Sequence, residues 1–158
     1  MDKDPNILNH LCIGEMASVF YRQFQIYINQ HMKSYRVNSS EVIYLLKMKD
    51  DEAVTQTSLA DMFFTDNAIV TRSLQSMEKK GLVVRKRSKE DKRSILVSLT
   101  AKGKKAREKS LSIRLAWKEK IFSGLSPEEE AHITSLYQKI TLEALSITQG
   151  LHNKETDQ

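Results

Sequence analysis

Between Arg85 and Arg93, six cationic side chains (Arg85, Lys86, Arg87, Lys89, Lys92 and Arg93) meet only Glu90 and Asp91. Charges this dense are poorly suited to a core, because each unpaired ion resists leaving water. Their natural chemistry is anion binding, and rows of phosphates are the acceptor that clustered guanidinium and ammonium groups fit. Apolar, β-branched segments flank the cluster: Leu82-Val83-Val84 before it and Ile95-Leu96-Val97-Ser98-Leu99 after it. The spacing predicts two strands joined by a basic tip.

Other chemistries find little support. A lone cysteine, Cys12, excludes an intrachain disulfide and a cysteine-rich zinc site. His10, His31, His132 and His152 are scattered without metal-ligand spacing. Asp50-Asp51-Glu52 reads as a solvated turn rather than a cation site. There is no phosphate-cradling glycine loop, no His-Glu-x-x-His helix, no dinucleotide turn and no nucleophile–base set. An enzyme is not expected, nor is a cofactor or metal.

The basic hairpin needs elements to hold it. Asp66 to Lys80 has a helical pattern, with Val70, Leu74 and Met77 on one face and Gly81 as its stop. Helix, glycine, strand, basic tip, strand is the layout of a winged helix-turn-helix, so double-stranded DNA is the expected partner. Upstream, Asn38 and Glu41 form a capping pair for a helix ending near Lys49, and Thr55 caps a short helix from Gln56 to Phe63. Downstream, Thr100 caps a helix to about Phe122, and Ser126-Pro127 opens another to about Gln149. The first helix is expected from Ile7 to about Met32.

The 158 residues, with a net charge of +5, fit one domain, or one domain plus an appendage. Only five Gly and two Pro favour long helices, so the expected class is mainly α with a small β-hairpin wing. Residues 37–100 read as the winged helix-turn-helix domain, 1–36 and 101–150 as a helical dimerisation region, and 151–158 as a disordered tail. The terminal helices carry too many large apolar side chains for solvent, among them Leu111, Leu115, Trp117, Ile133, Leu136, Tyr137 and Ile140. An intertwined homodimer would cover them. No signal-peptide pattern and no membrane-length apolar run are present, which leads us to expect a cytoplasmic protein without membrane contact.

Three stretches resemble the MarR family of transcription regulators: Leu-Ala-Asp-Met-Phe-Phe (59–64), Val70 to Arg85, and Asp-Lys-Arg-Ser-Ile-Leu-Val-Ser-Leu-Thr-Ala-Lys-Gly (91–103). The last carries the family's wing signature, Asp-x-Arg, an alternating strand, then Leu-Thr-x-x-Gly. The resemblance implies a homodimer on a pseudo-palindromic operator, most simply as a repressor, released by a small-molecule effector or an oxidant. The alternative is an architectural protein that coats DNA without sequence preference.

Carried over residue by residue, the resemblance makes Asp66 to Lys80 the recognition helix, with Asp66, Asn67, Ala68, Ile69, Thr71 and Arg72 in its DNA-reading half. Arg72 could pair with guanine or hold a phosphate. Arg85, Arg87, Lys89, Lys92 and Arg93 form the basic wing, Arg93 enters the minor groove, and Asp91 orients its guanidinium by an ion pair. Ser40, Thr55 and Gln56 could donate to phosphates near helix starts. Tyr27, His31, Met32 and Trp117 could line an effector pocket, or belong to the core. Cys12 sits in a Leu-Cys-apolar setting similar to that of relatives that sense organic hydroperoxides. Those relatives place tyrosine hydroxyls near the thiol. Here the region after the first helix reads Asn38-Ser39-Ser40, which favours Cys12 as a small buried hydrophobe over a redox site.

Overall fold

The computed structural model describes residues 5–156, with side chains from 6 to 149. The elements in chain order are α1 (Ile13–His31), α2 (Ser39–Lys47), β1 (Val54–Thr55), α3 (Gln56–Met62), α4 (Asn67–Lys79), β2 (Val83–Arg87), β3 (Ile95–Leu99), α5 (Ala101–Phe122) and α6 (Pro127–Thr156). Single 3-10 turns cover Pro5–Leu8 and Lys33–Tyr35. The chain divides into two compact units, one to Trp117 and one from Lys118. Among the described residues, no helix is long and apolar enough to cross a membrane.

The caps legible in the sequence form as expected. Asn38 Oδ1 accepts the Glu41 N–H at 2.9 Å, and Glu41 Oε2 accepts the Asn38 N–H at 3.0 Å. Thr55 Oγ1 accepts from Ser58 at 3.0 Å, and Asp66 Oδ1 from Ala68 at 2.7 Å. Gly81 ends α4 at φ 70°, the left-handed geometry a glycine supplies without a steric penalty. Ser126 and Glu129 close a capping box at the start of α6.

Three boundaries differ from expectation. The first helix does not start at Ile7; after the 3-10 turn the chain breaks, and Cys12 becomes an extended N-cap whose N–H donates to Glu15 Oε2 at 2.8 Å. A carboxylate three residues on therefore sets the helix start, although the capping residue is not Ser or Thr. A third strand, β1, joins the hairpin through Val54↔Val97 and Thr55↔Leu96, giving the antiparallel order β1-β3-β2. Helix α6 continues past Gln149 to Thr156, so the backbone over 150–156 is helical; residues 157–158 lie outside the described ones.

In the first unit, Ile28, Met32, Val42, Leu45, Leu59, Val70, Leu74, Met77, Leu82 and Val97 are wholly buried in one core that joins α1, α2, α3, α4 and the sheet. The Leu-Thr-x-x-Gly signature locks α5 onto this core. The Thr100 N–H donates to Leu82 O at 3.0 Å, its hydroxyl donates to Gly81 O at 2.7 Å and accepts the Gly103 N–H at 3.0 Å. Gly103 permits the approach, because a Cβ there would lie 1.9 Å from Leu82 O. Asp50 and Asp51 form an exposed turn, as expected, and pair across the surface with α5: Lys104 binds Asp51 at 2.7 Å and Arg107 binds Asp50 at 3.4 Å. The Asp51 contact holds the Lys104 ammonium above its ordinary pKa.

Within each unit, the terminal helices leave apolar side chains in solvent. On α1 these include Ile13, Met16, Val19, Phe20 and Ile26; on α6 they include Ile133, Leu136, Tyr137, Ile140 and Leu142.

Candidate nucleic-acid interface

Helix α4 divides cleanly. Val70, Leu74 and Met77 anchor it in the core, while Asn67, Ala68, Ile69 and Arg72 are exposed on its first turns. Of the adjacent pair Ile69 and Val70, Val70 is the packing residue and Ile69 is 45% exposed. The turn from α3 to α4 passes through Phe64 at φ 48°, with its ring in solvent. The N-terminal half of α4 is thus held from behind and open in front.

The wing is a three-stranded sheet with an exposed tip. Ser88 and Ser94 close its base through a 2.9 Å backbone bond, and Ser94 N–H donates to Asp91 O at 2.9 Å. Arg87, Lys89, Lys92 and Arg93 are all exposed. None of these four makes an ion pair within 4 Å among the described residues. Asp91 orients Arg93 differently from expectation. Its Oδ1 accepts the Arg93 backbone N–H at 2.9 Å, and no ion pair with the guanidinium forms. The carboxylate fixes the turn and leaves the arginine head free.

Arg85 departs from the other wing cations. On β2 it pairs with the buried Val97, and Val83 two residues earlier pairs with Leu99, so all four lie on the core side of the sheet. Its guanidinium donates to Gln56 Oε1 at 3.0 Å and reaches Glu78 Oε2 at 3.6 Å; its backbone N–H donates to Glu78 Oε1 at 3.1 Å. Gln56 Nε2 in turn donates to Thr71 Oγ1 at 2.6 Å, and that hydroxyl donates to Asn67 O at 2.7 Å. Arg85, Gln56 and Thr71 are therefore brought together as one internal network. Thr55 is engaged as the α3 cap, and Ser40 is exposed in the first turn of α2.

A second polar cluster, absent from the sequence reading, holds the other end of α4. Glu41 is buried, and its carboxylate accepts from Ser76 Oγ and Lys80 Nζ, each at 2.7 Å. Ser39 N–H donates to Asn29 Oδ1 at 2.8 Å, which ties the start of α2 to α1. Glu41 was legible as a capping partner; that it also serves α4 depends on packing over 35 residues of chain.

Of the four side chains considered for an effector pocket, three share a surface depression of about 320 Å³. Tyr27, His31 and Trp117 line it with Gln23, Ile26 and Gln30. The Tyr27 ring packs tilted against Trp117, centroids 5.0 Å apart and planes inclined by 45°, and His31 Nδ1 lies 2.8 Å from Tyr27 O. Met32 does not line it; that side chain is wholly buried in the core. Cys12 is exposed rather than buried. Among the described residues, no group of three or more His, Cys, Asp or Glu could hold a metal ion.

The fold and this face define a winged helix-turn-helix protein. The MarR family model matches residues 37–95. The organic hydroperoxide resistance transcriptional regulator of Bacillus subtilis (strain 168) is 31% identical over 105 residues, 66% of this chain and 70% of that protein. The crystal structure of a MarR transcriptional regulator from Methanosarcina mazei Go1 superposes with a TM-score of 0.77 at 31% identity, covering 85% of this chain and 97% of that one. The S. aureus MepR–DNA complex shares the fold, with a TM-score of 0.76 at 20% identity over 85% of this chain and 99% of that one. The chain belongs to the MarR family of DNA-binding transcription regulators.

Proposed function

We propose that the chain acts as a homodimeric, sequence-specific repressor on a pseudo-palindromic operator. The observation that carries this reading is the exposed, unpaired cation set of the wing tip, Arg87, Lys89, Lys92 and Arg93, in the same compact unit as an open N-terminal face of α4. Such cations release condensed counterions when they meet phosphates, which supplies affinity without sequence preference. Asn67, Ala68, Ile69 and Arg72 supply groups that can read base edges in the major groove. Arg93 suits the narrow minor groove beside it. Ser40 and Thr55, at helix starts, would donate to phosphates.

The dimer is supported by the apolar side chains that α1 and α6 leave in solvent. Two copies would cover them and would fix two α4 helices one DNA turn apart, ~34–36 Å, as successive major grooves require. A planar, partly apolar effector in the depression beside Tyr27, His31 and Trp117 would touch α1, and so could favour a separation that does not fit DNA. Binding to the chain's own promoter DNA and to random duplex separates the two remaining readings. The repressor reading expects clear preference for the promoter; equal affinity for both would leave an architectural protein instead.

A further inference from the structure

We infer that Arg85 is a positioning residue: through Gln56 and Thr71 it sets the N-terminal half of α4 for base reading, and it does not hold a phosphate. The inference rests on the DNA-binding reading above and changes the task of a wing cation within it.

The hydrogen-bond polarity carries the argument. Arginine only donates, so the Gln56 oxygen must face Arg85. The Gln56 amide nitrogen must then face Thr71, whose oxygen accepts it at 2.6 Å. The one hydroxyl proton of Thr71 is left for Asn67 O, 2.7 Å away in the first turn of α4. A donor-only group at one end and a carbonyl at the other leave the chain a single direction, and each bond polarises the next. The same arginine reaches the far end of α4 through Glu78, by its backbone N–H at 3.1 Å and its guanidinium at 3.6 Å. One residue of strand β2 thus touches both ends of the recognition helix, directly at one and through two side chains at the other. Its side chain is only 14% exposed, and its Nε is buried without a partner, so little of the guanidinium remains for DNA. Arg87, two residues on, is exposed and free of ion pairs among the described residues. Lysine cannot replace the fork, since an ammonium is a point charge without fixed donor directions.

The test uses the full-length chain and two duplexes: one selected by the wild type from a randomised pool, and its scrambled counterpart. Arg85→Lys should bind the selected duplex about tenfold more weakly for each half-site, the worth of one charge-assisted hydrogen bond per protomer, while affinity for the scrambled duplex stays unchanged. Arg85→Met should keep the wild-type salt slope, whereas Arg87→Met should make it shallower by about 2 per dimer. Thr71→Val should lose the same discrimination, and the double variant with Arg85→Lys should be no worse than the weaker single. In the free protein, Arg85→Lys should speed amide exchange at residues 69–72 with no DNA present. Uniform loss on both duplexes with a shallower slope for Arg85→Met would make Arg85 a phosphate contact and overturn the inference, as would additive effects or unchanged exchange. If the wild type selects no duplex, the sequence-specific reading fails, and the exchange arm still decides whether Arg85 braces α4.

Discussion

Replacing Gly103 by alanine sets two effects of opposite sign against each other. In a helix interior, alanine is favoured over glycine by about 1 kcal/mol. At this position the added Cβ would lie 1.9 Å from Leu82 O and 3.0 Å from Leu82 C, both backbone atoms that cannot rotate away. An ordinary carbon–oxygen contact needs ~3.3 Å, so more than 1 Å must open between α5 and the Leu82 backbone. That movement breaks the 3.0 Å bond from Thr100 N–H to Leu82 O, worth about 1 kcal/mol. It also forces overpacking against Leu99, which typically costs ~1–3 kcal/mol. The clash is with backbone, so the upper end applies, and the net destabilisation should be about 3 kcal/mol after the propensity gain is subtracted. Urea denaturation at fixed protein concentration measures it, with a midpoint lower by about 1–2 M at constant slope. A midpoint equal to or above that of the wild type would mean that helix propensity dominates, and that the close approach of α5 to Leu82 is not as drawn.

Glu41→Ala leaves Lys80 and Ser76 facing a buried gap and should cost ~3 kcal/mol in the same denaturation assay; Glu41→Gln, which keeps the acceptor for the Asn38 N–H, should cost less. Arg93→Ala should weaken binding strongly and relax preference at A·T-rich flanks, whereas Arg72→Ala, if it reads guanine, should cost ~1–3 kcal/mol at one inner position of each half-site. Competition binding against a library of mutated operators distinguishes them. Cys12→Ser exchanges one N-cap of α1 for a better one and should leave DNA affinity unchanged, with peroxide affecting both forms equally in anisotropy titrations.

The parts of the fold that obey local rules were legible: the Asn38–Glu41 pair, the Asp66 cap, the Gly81 stop and the Thr100 cap each depend on residues within a few positions. Strand β1 was not, because two residues, Val54 and Thr55, carry no periodicity and are strand only through their pairing with β3. The break before α1 was hidden because Cys12 is an uncommon cap. At the interface, the basic tip was plain from charge alone. The inward turn of Arg85 was not, since charge counting treats every cation alike. The signal was present in the strand alternation, where Val83 and Arg85 share a face while Val84 and Lys86 face outward. Its partners Gln56 and Thr71 come from two other helices and are met only in the folded chain.

The central claim is that the wing cations and the open face of α4 bind DNA through phosphates. Its most direct test is operator affinity, by fluorescence anisotropy, as a function of salt. Six or more phosphate contacts per dimer predict a log–log slope of roughly −5 or steeper. A slope near zero would contradict the account.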